Sequence, residues 1–294
     1  MTITRRAFTI SLGAAVGAAS IPHAGFGATE DGFTTTVRDI EKELGGRLGV
    51  YVWDTHSQRE WAYRANERFP LTSTFKAFAC GGVLSRVDAG KEKPDRIVRF
   101  GKESLVDYSP VTEKHADGAG MALSEICRAA MELSDNSAGN MVLDALGGPG
   151  GFTVFMRVIG DTETRLDRRE TALNEASPGD VRDTTTPRAA ASSLQRLVLG
   201  DALSAASRSR LQSWLIGNRV GGPLLRAGLP EDWRIGDRTG AGGHGSRAIV
   251  AVMWPPKRKP VIAAIYMTGN DKPMDARNAA IARIGRVLAE TIMG

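Results

Sequence analysis

Strand-like runs lie near both ends of this chain, and their placement limits the folds that it can adopt. Residues 47–55 (RLGVYVWDT) and 60–69 (EWAYRANERF) form two such runs with a polar turn between them. Three more follow one another at 233–240 (WRIGDRTG), 246–254 (SRAIVAVMW) and 260–269 (PVIAAIYMTG). Runs joined by short links pair antiparallel. We therefore expect one antiparallel sheet that is assembled from both ends of the chain.

Helical patterns surround these strands. Apolar residues at helical spacing predict one helix before the first strand and another after the last: Phe33, Val37, Ile40 and Leu44, then Ile281, Ile284, Leu288 and Ile292. Helical segments also dominate residues 70–215. The expected fold class is α/β (α+β), with a sheet covered by terminal helices and an inserted all-α domain. We expect the discontinuous α/β domain to comprise residues 29–70 and 215–294, and the all-α domain residues 71–214.

The first residues have the pattern of an export signal. Arg5 and Arg6 precede a weakly apolar stretch, FTISLGAAVGAASIP, which is too short to span a bilayer. Small residues follow at 24–28, where a signal peptidase could cut. Residues 1–28 thus resemble a twin-arginine signal, and we expect a periplasmic protein without membrane insertion of the mature chain. The alternative is a frayed, basic N-terminus.

The composition is that of a globular protein with a substantial core. Of the 294 residues, 42% are hydrophobic and 24% are charged. The formal net charge is +5, but the basic residues are scattered. Proteins that bind nucleic acid normally carry a clustered basic face, so we expect no nucleic-acid partner.

Cys80 and Cys127 are the two cysteines of the chain. An exported protein can keep a disulfide, so the pair is a candidate bridge. Two buried free thiols are the alternative, because cysteine also packs as a small hydrophobe.

A lysine lies in an otherwise apolar run, FPLTSTFKAFAC (69–80), three residues after a serine. Ser73 and Lys76 share one face of the predicted helix. Backbone N–H groups at a helix start stabilise developing negative charge, and a lysine in a dry pocket can accept a serine proton. The Ser-x-x-Lys spacing alone is a weak signal, because both residue types are common.

Two further pieces follow in the chain. LSDNSAGN (133–140) contains Ser134, Asp135 and Asn136, and its alternative interpretation is a helix N-cap. DRTGAGG (237–243) contains a basic-Thr-Gly triplet at the end of a strand, and its alternative is a plain strand and turn.

In this order, Ser-x-x-Lys, Ser-Asp-Asn and basic-Thr-Gly form the signature of the penicilloyl serine transferases, which are the penicillin-binding proteins and the serine β-lactamases. The chain resembles this family. Residues 164–187 (TRLDRRETALNEASPGDVRDTTTP) also resemble the class A omega loop, with Glu170 and Asn174 four residues apart. Without the other motifs this segment would be read as a charged surface loop. The resemblance extends over essentially the whole mature chain and implies the β-lactamase/DD-peptidase-like fold.

The resemblance implies a role for each catalytic residue. Ser73 would attack the β-lactam carbonyl, and the backbone N–H groups of Ser73 and Ala241 would bind the oxyanion. Ser134 would pass a proton toward the ring nitrogen, with Lys76 as its partner. Glu170, with Asn174, would activate the water that hydrolyses the acyl-enzyme. Whether Lys76 or Glu170 deprotonates Ser73 is left open.

The resemblance also implies the substrate contacts. Asn136 and the Ala241 carbonyl would hold the acylamino side chain, and Tyr108 would form one wall unless it packs against its own loop. The substrate carboxylate would bind in a slot formed by Arg238, Thr239, Gly240 and Arg247.

Most class A enzymes have Lys at the position of Arg238. The carbenicillin-hydrolysing members have Arg there, as this chain does. We therefore expect activity on penicillins, including carboxypenicillins, and weaker activity on bulky oxyimino-cephalosporins.

Two structural expectations follow from the same resemblance, and a third follows from the spacing of the histidines. Cys80 and Cys127 match a bridge that occurs in part of the class, and Arg165 could pair with Asp183 across the base of the omega loop. No metal or cofactor is expected, since His23, His56, His115 and His244 have no ligand-like spacing.

Two other functions compete with hydrolysis. One is a cell-wall transpeptidase or carboxypeptidase, which would share Ser73, Lys76 and Ser134 but not Glu170 and its loop. The other is a non-hydrolytic β-lactam sensor, which usually accompanies a transmembrane segment and a signalling domain. We expect a monomer whose partners are small-molecule β-lactams.

Overall fold

The computed structural model describes residues 32–294. The predicted signal at residues 1–28 and His23 lie outside the described residues. Within the described part, no helix combines the length and the apolar character needed to cross a bilayer.

Helices occupy much of the described chain. The α-helices are α1 (Gly32–Leu44), α2 (Phe75–Asp88), α3 (Leu123–Glu132), α4 (Asn136–Leu146), α5 (Gly148–Val158), α6 (Pro187–Val198), α7 (Ala205–Ile216) and α8 (Met274–Met293). Shorter helical turns lie at Thr72–Thr74, Lys102–Ser104, Thr112–Lys114, Ala172–Asn174 and Gly222–Arg226.

The strands form one large sheet and two small ones. They are β1 (Arg47–Asp54), β2 (Arg59–Tyr63), β3 (Phe69–Pro70), β4 (Ile97–Val98), β5 (Met121–Ala122), β6 (Thr184–Thr185), β7 (Arg234–Ala241), β8 (Arg247–Trp254) and β9 (Val261–Thr268). The large sheet has the order β2-β1-β9-β8-β7, and all its neighbours are antiparallel. The prediction of an antiparallel sheet built from both chain ends is confirmed, and β7 lies at an edge.

The large sheet separates two hydrophobic clusters. Along β8, Ile249 and Ala251 pack in the cluster that contains the apolar stripes of α1 and α8. Val250 and Val252 point to the opposite face and pack in the cluster formed with α2 to α7. This alternation is the two-residue period of a strand, so both faces of β8 are buried. The terminal helices therefore cover one face of the sheet.

The second predicted run is divided between two sheets. β2 ends at Tyr63, and Arg64 has a φ of +45°, which turns the chain away from the sheet. Phe69 and Pro70 then pair with Thr185 and Thr184. This small β3–β6 sheet ties the segment just before residue 73 to the end of the loop that contains residue 170.

Candidate active site

Ser73 lies in the helical turn Thr72–Thr74, which leads directly into α2 and passes beside the edge strand β7. Gly240 permits this approach. A Cβ at position 240 would lie 1.9 Å from Thr72 Oγ1 and 3.0 Å from Ser73 N, which is too close for any side chain. The glycine of the basic-Thr-Gly triplet therefore brings the backbone of β7 against the backbone of Ser73.

Lys76 is fully buried among polar partners. Its Nζ lies 3.1 Å from Ser73 Oγ, 2.9 Å from Glu170 Oε1, 2.6 Å from Asn136 Oδ1 and 2.9 Å from the Ser134 carbonyl oxygen. These contacts compensate the ammonium group for the water that it loses on burial. Lys76 can therefore be buried within an apolar run of the sequence, because polar groups surround its Nζ in the fold.

Burial lowers the pKa of Lys76 from 10.5 to about 8. Within this net shift, the negative charge of Glu170 opposes the effect of burial, and the positive charge of Arg238 adds to it. With this pKa, the Lys76 amine can hold or release a proton close to neutral pH. Gly139 on α4 makes room for the lysine, since a Cβ there would lie 2.7 Å from Lys76 Cε.

Glu170 is buried and lies within hydrogen-bond distance of the serine. Ser73 Oγ is 3.2 Å from Glu170 Oε1, and Asn174 Nδ2 donates to Oε2. The amide of Asn140 fixes the backbone, since Oδ1 accepts from Glu170 N at 2.9 Å and Nδ2 donates to Glu170 O at 3.0 Å. Asn174 Oδ1 is buried with no protein partner among the described residues. An acceptor is thus available beside the carboxylate.

The Ser134-Asp135-Asn136 piece serves both of the functions that the sequence allowed. Asp135 caps α4 by accepting from Ala138 N at 2.8 Å. Asn136 binds Lys76, and Ser134 Oγ lies 3.4 Å from Lys76 Nζ. The cap interpretation holds for Asp135, while its two neighbours face the buried lysine.

Arg238 is fully buried, and its guanidinium lies next to Ser134. Its Nη2 donates to Ser134 Oγ, whereas Nε and Nη1 have no partner among the described residues. Burial lowers the pKa of Arg238 to about 10, against the opposing charges of Asp237 and Glu170. The resemblance implied that Arg238 belongs to the carboxylate slot. In the structure its guanidinium is buried outside the cavity lining and donates to Ser134 Oγ, which does line the cavity.

Most of the predicted residues meet at a cavity of about 390 Å³. Its walls are formed by Ser73, Tyr108, Ser134, Asn136, Asn174, Val220, Thr239, Gly240, Ala241, Arg247 and Met274. Lys76, Glu170 and Arg238 do not line this cavity, because their side chains are buried. The arrangement is a polar cleft with charged groups underneath it.

Arg247 is the cation at the surface of this cavity. Its Nε donates to Asn278 Oδ1 at 2.8 Å, and its Nη1 donates to the Gly240 carbonyl at 3.0 Å. Burial lowers the pKa of Arg247 to about 10, and the nearby Arg277 acts in the same direction. Both of its hydrogen-bond partners are neutral, so its charge is available to an anion.

Tyr108 is 58% exposed and lines the cavity, as the first of the two sequence alternatives expects. Its carbonyl accepts from Asn136 N at 3.0 Å, which fixes the Tyr108 backbone against the start of α4. The ring therefore stands at the rim of the cleft.

The predicted pair at the base of the omega loop is wrong. Arg165 pairs with Asp167, while Arg168 Nε donates to Asp183 Oδ2 at 2.6 Å. Asp183 Oδ1 also accepts from the backbone N–H groups of Asp167 and Arg168. The backbone N of Arg165 donates to the Thr184 carbonyl at 3.0 Å, while its side chain binds the carboxylate of Asp167, two residues along the chain.

Cys80 and Cys127 are buried neighbours, and both are free thiols in this structure. Cys80 Sγ lies 3.7 Å from the Cys127 carbonyl oxygen. The adjacent Cys80 thiol and burial raise the pKa of Cys127 well above its usual value. The bridge that the resemblance implied is therefore not formed here.

Several residues of this site were not predicted from the sequence. Asn140 follows Asn136 by one helical turn, so the spacing within LSDNSAGN contained a signal for it. Val220 and Met274 line the cleft, and Asn278 binds Arg247 beside it, but none of the three lies in one of the motifs. Among residues 32–294, no group of three or more His, Cys, Asp and Glu side chains could hold a metal ion.

This geometry suits acyl transfer through a serine. A hydroxyl, an amine and a carboxylate are in mutual contact, a second hydroxyl is beside them, and an arginine faces the cavity. The backbone N–H groups of Ser73 and Ala241 lie at the meeting of the Thr72–Thr74 turn and β7, where an oxyanion could bind.

Comparisons with known proteins agree with this chemistry. The family model described as "Beta-lactamase enzyme family" matches residues 32–292. The chain is 52% identical over 256 residues to β-lactamase AER-1 of Aeromonas hydrophila, covering 87% of this chain and 84% of that protein. It is 49% identical over 249 residues to β-lactamase PSE-4 of Pseudomonas aeruginosa, covering 85% and 86%.

Solved structures give the same result for the fold. An ancestral (GNCA) class A β-lactamase superposes with a TM-score of 0.87 at 56% identity, covering 88% of this chain and 99% of that chain. The last common ancestor of Gram-negative bacteria (GNCA4) class A β-lactamase gives 0.88 at 53% identity, covering 89% and 100%.

Proposed function

Because this chain belongs to the class A β-lactamase family, we propose that Ser73 is its nucleophile and Glu170 the base of its deacylation step. The protein is a hydrolase that opens the β-lactam ring of penicillins. The observation that carries our assignment is the contact of Ser73 Oγ with both Lys76 Nζ, at 3.1 Å, and Glu170 Oε1, at 3.2 Å.

In the acylation half-reaction, the Ser73 oxygen attacks the lactam carbonyl and its proton passes to the Lys76–Glu170 pair. The developing oxyanion is stabilised by the N–H groups of Ser73 and Ala241. The C–N bond then breaks, and Ser134 gives its proton to the ring nitrogen. Lys76 Nζ, 3.4 Å from Ser134 Oγ, restores that proton.

In the deacylation half-reaction, Glu170 removes a proton from a water molecule that attacks the ester. Asn174 supports this role in two ways. Its Nδ2 holds Glu170 Oε2, and its Oδ1 is an acceptor without a protein partner that can hold the water. Hydrolysis of the ester frees Ser73 and returns the proton to it. A penicillin-binding transferase without such a carboxylate would remain acylated.

Recognition of the substrate follows from the charges at the cleft. Arg247 and Thr239 bind the ring carboxylate, and Asn136 with the Ala241 carbonyl binds the acylamino group. We extend the substrate range to carboxypenicillins, because Arg238 stands where most class A enzymes have Lys and the carbenicillin-hydrolysing members have Arg. Its planar guanidinium donates to Ser134 Oγ at the cavity wall, a geometry that lysine does not reproduce.

We also propose where the protein acts. We assign residues 1–28 to a twin-arginine signal and the mature chain to the periplasm. The mature chain would have two domains with the cleft between them: one is residues 29–70 with 215–294, and the other is residues 71–214.

Once exported, the adjacent Cys80 and Cys127 would form a disulfide. Alkylation of the unreduced, denatured protein checks this: no labelled cysteine is expected, and two labelled cysteines would refute the bridge.

Continuous turnover of the chromogenic cephalosporin nitrocefin tests the function. We expect many equivalents of hydrolysed substrate per protein, and none from the Ser73→Ala variant. Release of a single equivalent followed by no further colour would mean that the protein is a penicillin-binding transferase or sensor, and the proposed role of Glu170 would be wrong.

A further inference from the structure

Met274 has a large apolar side chain that the fold leaves 39% exposed at the catalytic cavity. Most other side chains around this cavity are polar, as the substrate's amide and carboxylate require. An apolar side chain that is exposed at a ligand cavity offers surface that a bound ligand can cover. Neither the motifs nor the mechanism assigns a task to Met274.

The helix that presents Met274 also positions Arg247. Met274 is the first residue of α8, and Asn278 follows one turn later on the same face. Asn278 Oδ1 accepts from Arg247 Nε at 2.8 Å. Met274 therefore stands at the end of the cavity that binds the substrate carboxylate, whereas Asn136 serves the acylamino group.

The chemistry of the substrates determines what reaches this end. In bicyclic β-lactams the carboxylate is on the carbon next to the ring nitrogen. The carbon that follows carries the C3 substituent of cephalosporins or the two methyl groups of penicillins. When the carboxylate is bound at Arg247, this neighbouring substituent lies beside it. We infer that Met274 contacts the substituent next to the carboxylate and is a specificity-determining residue for that substituent.

The inference rests on the proposed function and adds a subsite to it. A methionine is unbranched and flexible, so it can pack against substituents of different shape. A charged residue at the same place would instead discriminate by charge, because the cleft is partly shielded from water. The first turn of a helix accepts Glu well, and at 39% exposure neither Glu nor Lys has to be buried.

Two cephalosporins that differ only in the C3 substituent test this subsite. Cephalothin and cephaloridine have the same thienylacetyl side chain, but their C3 groups are a neutral acetoxymethyl and a cationic pyridiniummethyl. The measurement is the ratio of kcat/KM for cephaloridine to that for cephalothin in Met274→Glu, Met274→Lys and the neutral Met274→Gln. Met293→Glu and Met293→Lys are matched controls, since Met293 is 54% exposed at the other end of α8.

Relative to Met274→Gln, we expect the ratio to rise about fivefold in Met274→Glu and to fall about fivefold in Met274→Lys. The Met293 variants should stay within about twofold of the wild-type ratio. A fold defect would lower kcat/KM for cephaloridine and for cephalothin together. It could not raise their ratio in one variant and lower it in the other. If Met274→Glu and Met274→Lys give the same ratio, Met274 does not contact the substituent. If the wild type fails to turn over benzylpenicillin, the proposed function fails, and the inference fails with it.

Discussion

The hydroxyl of Ser73 lies 3.2 Å from Oε1 of Glu170, across 97 residues of sequence. Two structural features bring them together. The β3–β6 pairing joins the segment before Ser73 to the end of the omega loop, and Asn140 holds the Glu170 backbone from α4. A carboxylate at this distance can act on a water molecule that attacks the acylated serine, which distinguishes hydrolysis from a stable acyl-enzyme.

The omega loop depends on Arg168 and not on Arg165. Asp183 is almost completely buried, and Arg168 is its side-chain partner. Since loss of one partner leaves a buried charge, Arg168→Gln should lower the free energy of unfolding by about 2–3 kcal/mol. The Arg165–Asp167 pair is more exposed, so Arg165→Gln should cost under about 1 kcal/mol. Urea denaturation of both variants compares them, and an equal or larger loss in Arg165→Gln would contradict this assignment.

The charge of Arg238 contributes to the lowered pKa of Lys76. Removing a neighbouring positive charge makes the ammonium form less costly, so Arg238→Met should raise the Lys76 pKa above about 8. Arg238→Lys keeps the charge and should leave this pKa nearly unchanged. An NMR pH titration of the lysine side chains follows Lys76 directly, with Lys76→Arg to assign its signal. Equal shifts in the two Arg238 variants would show that charge is not the cause.

Arg238 should also affect the choice between penicillins. Its planar guanidinium donates to Ser134 from a buried position, and a shorter lysine cannot reproduce that geometry. We expect Arg238→Lys to lower the ratio of kcat/KM for carbenicillin to that for benzylpenicillin by about fivefold or more. Steady-state hydrolysis of both substrates by both proteins gives the ratio. An unchanged ratio would separate Arg238 from carboxypenicillin activity.

Much of the fold is readable from apolar periodicity. The stripes at Phe33–Leu44 and Ile281–Ile292 are buried in α1 and α8, since a helix of that pattern can only bury one face. The strand predicted for residues 60–69 fails after Tyr63. Arg64 takes up a left-handed conformation that no propensity indicates, and Phe69 finds its partner in Thr185, far along the chain.

The site shows the same division between local and long-range information. The ordered motifs, with the family resemblance that they carry, locate Ser73, Lys76, Ser134 and Glu170. Choosing between Arg165 and Arg168 requires the path of the loop, which the sequence does not contain. The contribution of Asn278 is equally hidden, because its partner Arg247 lies 31 residues away on a strand. Three-dimensional packing decides these contacts.

The most direct test of the account is the fate of the acyl-enzyme in Glu170→Ala, followed by intact mass after addition of benzylpenicillin. We expect an adduct of one penicillin per protein that persists, because acylation of Ser73 continues while deacylation has lost its base. Glu163→Ala, which changes an exposed carboxylate just before the loop, should turn over like the wild type. The Ser73→Ala/Glu170→Ala double variant should acquire no adduct. Normal turnover by Glu170→Ala, with no accumulated adduct, would contradict the central claim that Glu170 drives hydrolysis.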